Sequence, residues 1–208
     1  MHYTKTLKFG LITITSVLCA VLIFQCIHIF LPSLVSARVG SGRPARIIIP
    51  RIHVDAEVEE VSKTEEGLIN PPRFALNTGW YKSSPMPGEE GSAVINGYVH
   101  WRNGYTAMFA DLHFLKPGDI VSIKNDKGID TSFVVREIKT YDLDADIKEA
   151  LSSYDGKSHL NLVTFDGSWD KPSKSYSKRL VVFTDEATTT MDIIAISSAA
   201  TDYKLFNK

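Results

Sequence analysis

The chain has 208 residues, 44% hydrophobic and 23% charged, with a formal net charge of -1. That length holds one domain with a proper core plus an additional segment, and the near-neutral charge leaves no broad basic face, which argues against nucleic acid as a partner. The two cysteines, Cys19 and Cys26, both fall in the first 30 residues, so the rest of the chain has no thiol nucleophile, no disulfide framework and no cysteine-based metal site.

In chain order, residues 1–36 read as a cytoplasmic stub and a membrane anchor. From Gly10 to Leu31 there is no Lys, Arg, Asp or Glu, and about 20 apolar residues suffice to cross a bilayer as a helix. Gln25, His28 and the two cysteines are tolerated residues in a lone helix. Lys5 and Lys8 precede the run while Arg38, Arg43 and Arg46 follow it, so the positive-inside count is close to balanced. The N-terminus is expected inside because nearly all the chain follows the segment. Val35-Ser36-Ala37 resembles a small-residue cleavage site, and a cleaved signal peptide is the competing reading; the apolar stretch is longer than the roughly 7 to 15 residues of a usual signal core. Either way the folded part lies outside the cytoplasm, and the expected location is the plasma membrane, crossed once.

A Gly/Ser/Arg/Pro-rich linker, residues 37–44, leads into short β-type runs: ARIIIP, VDAEVEEV, SAVINGYV, DIVSIKN, TSFVVREIKTYDL, HLNLVTF and KRLVVFT. Between them stand EEG, NDKG, YDG and DGS, and many short strands with Gly/Asp/Asn turns argue for a small barrel or sandwich. LNLVTF is expected to break into a turn directly after Phe165. Helical signal is sparse: a turn or two around TAMFADLHFL, ended by Lys116-Pro117-Gly118, and a second at DADIKEALSS. The folded domain is expected over residues 45–187, with 188–208, rich in small and polar residues, as a tail.

The order of segments resembles a known family. RIIIPRIHVDAEVEEV, NTGWY, PMPGEEGSAVINGYVHW, MFADLHFLKPGDIVSI, LNLVTFDGSWD and KRLVVF are similar to the bacterial sortases, in particular the group whose strand motifs read G-H-V-D-W and T-C-x-G-x-W-D. The resemblance covers residues 45 to 184. It implies an all-β fold, a closed eight-stranded β-barrel with one or two short helices behind an N-terminal transmembrane helix. It also implies a membrane-anchored cysteine transpeptidase, whose thiol attacks a carbonyl in the sorting signal of a surface protein before an amine resolves the acyl-enzyme. The implied partners are a sorting-signal peptide and, for a regulator, an active sortase; no cofactor is implied.

Such a reaction needs an activated nucleophile, an acid/base for the leaving amine and a cation or donor for the oxyanion. The family uses Cys, His and Arg. Aligned motif by motif, the His falls on Tyr98 of GYVH, the Cys on Phe165 of TFDG, and the Arg on Arg179 of KRLVVF. A phenyl ring has no lone pair with which to attack. His100, two residues from Tyr98, shares its face if the strand persists that far, which makes it a possible substitute base. The nearby oxygens are those of Thr164, Asp166 and Ser168; Thr164 is expected to face away from Phe165, and an alcohol needs an adjacent base near neutral pH.

Plainer readings stand beside these. Tyr98 fits a strand aromatic at a barrel rim, Phe165 core filler at a strand end, Arg179 beside Lys178 a solvated basic pair, and His100 surface decoration. Trp80, Tyr81 and Trp169 read as packing residues. His113 and His159 read as isolated, with no Cys or carboxylate at ligand spacing, so no metal site is expected. Three functions follow: a catalytically defective sortase homologue that binds peptides or regulates surface attachment, an active enzyme with His100 as base, or a structural surface module with a filled groove.

Overall fold

The computed structural model describes residues 42–65, 67–101, 104–148, 151–172 and 175–187. The predicted membrane segment, most of the linker and the tail lie outside the described residues. Eight strands form one closed barrel: β1 (Pro44–Ile49), β2 (Val54–Val61), β3 (Thr78–Tyr81), β4 (Gly91–Asn96), β5 (Ile120–Asn125), β6 (Asp130–Asp142), β7 (Ser158–Asp170) and β8 (Ser175–Glu186). Around the barrel they run β1-β2-β3-β4-β7-β8-β6-β5, and β5 closes onto β1. β2 with β3 and β4 with β7 pair in parallel; the other neighbours are antiparallel. Closure leaves no edge strand open to another chain.

The period-two pattern of the sequence sets which residues enter the barrel. Ile47 and Ile49 of β1, Val121 and Ile123 of β5, Phe133 and Val135 of β6, Leu160 and Leu162 of β7, and Leu180 and Val182 of β8 are all buried in one core. β4 is buried over its first five residues, because segments outside the barrel cover its second face. Phe109, between β4 and β5, is wholly buried and fills the core from one end.

Three local readings are corrected. TGWY, taken as a motif with packing aromatics, is a strand: only four residues long and containing Gly79, it lacks the length that marks the other seven. Trp80 does pack in the core. The helical signal at TAMFADLHFL resolves into a single 3₁₀ turn, Leu112–Phe114; part of DADIKEALSS lies outside the described residues, and beside that part the Leu151 N–H reaches the Ile147 and Lys148 carbonyls. Among the described residues there is no α-helix. LNLVTF does not stop at Phe165: β7 runs on to Asp170, and β8 pairs with it along this extension.

Gly167 explains the continuation. Its φ is +79°, and the β7–β8 register shifts between Asp166 and Trp169, so the DGS sequence forms a β-bulge within the strand instead of a turn that ends it. A Cβ there would collide with Ser177 Oγ and lie 3.3 Å from Lys178 Cγ. Gly167→Ala is expected to cost about 1–2 kcal/mol from the left-handed backbone alone, read as a lowered thermal midpoint together with altered Trp169 emission.

Candidate active site

Three strands bring the motif positions to one corner. β4 and β7 run parallel in a register that ends with Asn96 beside Val163. Pairing carries one residue further: the Gly97 N–H donates to the Val163 carbonyl (3.2 Å) and Thr164 Oγ1 donates to the Gly97 carbonyl (2.8 Å). Tyr98 follows directly, two residues past the end of β4, while its neighbour Gly97 is tied to Val163 and Thr164, the two residues before Phe165. On the other side of β7, Arg179 of β8 is the direct cross-strand partner of Phe165, so the two side chains share a face. The close fit depends on Gly97, where a Cβ would stand 2.7 Å from the ring of Phe109. The Phe109 N–H in turn donates to the Tyr98 carbonyl (2.9 Å).

Phe165 is not core filler. Thr164 points inward and is buried, as expected, whereas Phe165 is 41% exposed. Its ring stacks on Tyr176 at 5.8 Å between centroids. Trp169, 52% exposed, meets the same tyrosine edge-on at 5.1 Å, so its packing role is on the surface. Tyr98 is half-buried and edge-on to Trp101. Arg179 is half-buried and donates through Nη2 to the Leu143 carbonyl (2.6 Å). That contact holds the start of the β6–β7 connection, helped by the Leu143 N–H on the Ser177 carbonyl (3.2 Å). The solvated-pair reading thus fits Lys178, which is exposed, better than Arg179.

The route imagined for His100 does not form. β4 ends at Asn96, the chain bends at Val99, and His100 makes a lone bridge with Thr106. Its exposed ring instead places Nδ1 2.8 Å from the Tyr176 hydroxyl. The oxygens considered as nucleophiles are engaged elsewhere: Thr164 on Gly97, Asp166 with the Thr140 hydroxyl (3.3 Å), and Ser168 with Ser177 Oγ. Tyr176 is the residue that sequence reasoning missed. It reaches the corner through the bulge, which shifts β7 so that Trp169 sits opposite it, and no strand-period argument across KSYSKR foretells that. Burial pushes the pKa of the Tyr176 phenol above its ordinary value, so the neutral form is favoured over the phenolate.

A closed, mixed eight-stranded barrel with its candidate site where β4 ends beside β7 and β8 is the class of domain defined here. The Sortase domain family matches residues 47–187, and the chain belongs to the sortase family. Among solved structures it is similar to sortase C-1 from Actinomyces oris, with 20% identity, a TM-score of 0.55 and coverage of 69% of this chain and 73% of that one. Sortase C1 from Streptococcus agalactiae gives 22%, 0.54, and 71% and 69%. Sortase C from Clostridium perfringens SM101 gives 20%, 0.52, and 73% and 73%. At these identities the likeness speaks for the fold. Among curated protein sequences, none matches the chain.

Proposed function

We propose that this sortase-family chain is held at the outer face of the plasma membrane by its N-terminal apolar segment, binds extended peptides of the sorting-signal type, and performs no acyl transfer. Its role on this reading is to scaffold or regulate the attachment of surface proteins beside an active sortase. The observation that carries it is the set of side chains at the corner: a phenyl at 165, cross-strand from a guanidinium already donating to Leu143, and a phenol at 98 just past the end of β4. None of the three attacks a carbonyl, and the only thiols of the chain, Cys19 and Cys26, lie in the apolar N-terminal run. Peptide binding draws on main-chain hydrogen bonds and side-chain pockets, which outlast the loss of a nucleophile. Exposed Phe165 and Trp169 leave a surface for it, and they argue against a filled groove.

The His100–Tyr176 contact favours a second reading, an active enzyme with His100 as base. Against it stands the engagement of the nearby oxygens of Thr164, Asp166 and Ser168 with Gly97, Thr140 and Ser177. Titrating the full-length chain with a sorting-signal peptide separates the two. Saturable quenching of tryptophan emission is expected, lost in Trp169→Phe, with no cleaved product in either protein. Turnover that His100→Ala abolishes would establish the second reading, and no spectral response at all would leave the structural module.

A further inference from the structure

The outer face of β4 carries a cleft that the corner does not use. Ala93 and Ile95 point into the core, so the strand period turns Ser92 and Val94 outward. There, with Tyr81, Pro85 and the Leu151–Tyr154 segment, they line a cleft of about 790 Å³, inside the range of about 300–1,000 Å³ usual for small-ligand sites. It lies at the start of β4, whereas Tyr98 follows that strand's end.

One group in the cleft is left over by the fold. Ser92 is 5% exposed and lines the cleft, and its hydroxyl has no hydrogen-bond partner among the described residues. Native structures seldom leave a buried hydroxyl unpaired. Its neighbour in the β4–β7 register, His159, does not stand alone as SHLN suggested, and it does not supply the partner. Both ring nitrogens are taken, Nδ1 at 2.8 Å from Asp185 Oδ1 and Nε2 at 3.0 Å from Asp155 Oδ1.

The other groups of the cleft narrow the ligand. A peptide strand finds no free N–H on Val94, which already donates to Ser84 Oγ (3.1 Å), while that hydroxyl donates to the Tyr81 carbonyl (2.6 Å). A purely apolar ligand would leave Ser92 unpaired and strip water from Lys63 and Glu90 on the lining, which is costly. A polyanion meets no excess of positive charge: Lys148 is paired with Asp146 (3.6 Å), which leaves Lys63 and Glu90, one of each sign. These groups suit a molecule with a flat apolar face and many hydroxyls, each both donor and acceptor. Tyr154 on the lining is 94% exposed, so its ring is open to such a face. Tyr81 adds a second ring, with the Lys63 ammonium 5.3 Å from its centre.

We propose that this cleft binds a neutral saccharide. A pyranose sets its C–H face on the Tyr154 ring, and one of its hydroxyls exchanges a hydrogen bond with the buried Ser92. Others accept from the Lys63 ammonium and donate to the Glu90 carboxylate. The site does not depend on the peptide corner: a sugar held at the start of β4 and a peptide held past its end engage different side chains.

The test exposes the full-length chain, kept in a detergent without a sugar headgroup, to an array of defined neutral and acidic oligosaccharides, and then titrates the strongest neutral binder. Saturable binding to a neutral member is expected. It weakens about three- to tenfold in Ser92→Ala, the scale of one hydrogen bond, and by a similar factor in Tyr154→Ala, whereas Tyr154→Phe keeps the ring and the affinity. Ser92→Ala removes one unpaired oxygen and Tyr154 is exposed, so both variants are expected to fold, as an unchanged thermal midpoint verifies. No binding to any neutral member, binding to acidic members alone, or an affinity unchanged in Ser92→Ala or in Tyr154→Ala would overturn the proposal.

Discussion

Placing histidine at 98 and cysteine at 165 together is expected to give a chain that forms a thiol-dependent acyl-enzyme with a sorting-signal peptide, where the unsubstituted chain forms none. The two positions lie near one corner: Gly97, next to Tyr98, bonds to Val163 and Thr164, next to Phe165, and β8 sets Arg179 opposite Phe165. On the proposed reading, what is missing is a nucleophile and its proton carrier. Phe165 is exposed, so exchanging it for cysteine opens no core cavity; it forfeits the stacking on Tyr176, about 0.5–1.5 kcal/mol. Phe165→Cys alone lacks the imidazole and is expected to react at least about 10²-fold more slowly than the double variant, the lower range of a positioned acid/base. Tyr98→His alone is expected to do nothing. Arg179 has to exchange the Leu143 carbonyl for the oxyanion, and the β6–β7 connection must loosen for it to do so. Adduct mass before and after thiol alkylation is the measurement. A folded double variant without adduct would mean that the corner itself, and not only its side chains, has left the catalytic geometry.

The largest expected stability effect belongs to Phe109. Its ring is wholly buried, closes the core at the end of β4, and packs under the Cα of Gly97, while its N–H holds the Tyr98 carbonyl. Phe109→Ala removes the ring and leaves a cavity that the barrel strands are too tightly paired to collapse into. A loss of about 3–5 kcal/mol is expected, seen as a lower urea midpoint with little change in slope. A loss under about 1 kcal/mol would mean that the site corner is not braced from beneath. Because Gly97, next to Tyr98, rests on this ring, the same variant is expected to weaken peptide binding before global unfolding.

Most of the barrel was legible because seven of its strands are β-branched or apolar runs of at least six residues set between Gly, Asp and Asn turns, and VDAEVEEV adds alternation. β3 escaped because four residues with a glycine carry almost no period. The length of β7 escaped for a different reason: DGS is a turn by composition, and only the pairing of β8 beyond Gly167 turns it into a bulge. The corner was legible as far as motif order reaches, to Tyr98, Phe165 and Arg179. Its chemistry beyond that is tertiary. Tyr176 meets His100 across 76 positions of chain, and Arg179 meets Leu143 across 36. His159 shows the same limit in reverse, for Asp155 stood four residues away in plain sight while Asp185 became a neighbour only through the β7–β8 register.

The central claim is that the native corner contains no attacker. Intact-mass spectrometry of the unsubstituted full-length chain, after long incubation with a sorting-signal peptide and excess amine acceptor, tests it most directly. The account predicts the mass of the bare chain and an unaltered peptide. A covalent peptide adduct mapping to Tyr176, or to any residue of β7 or β8, would contradict it.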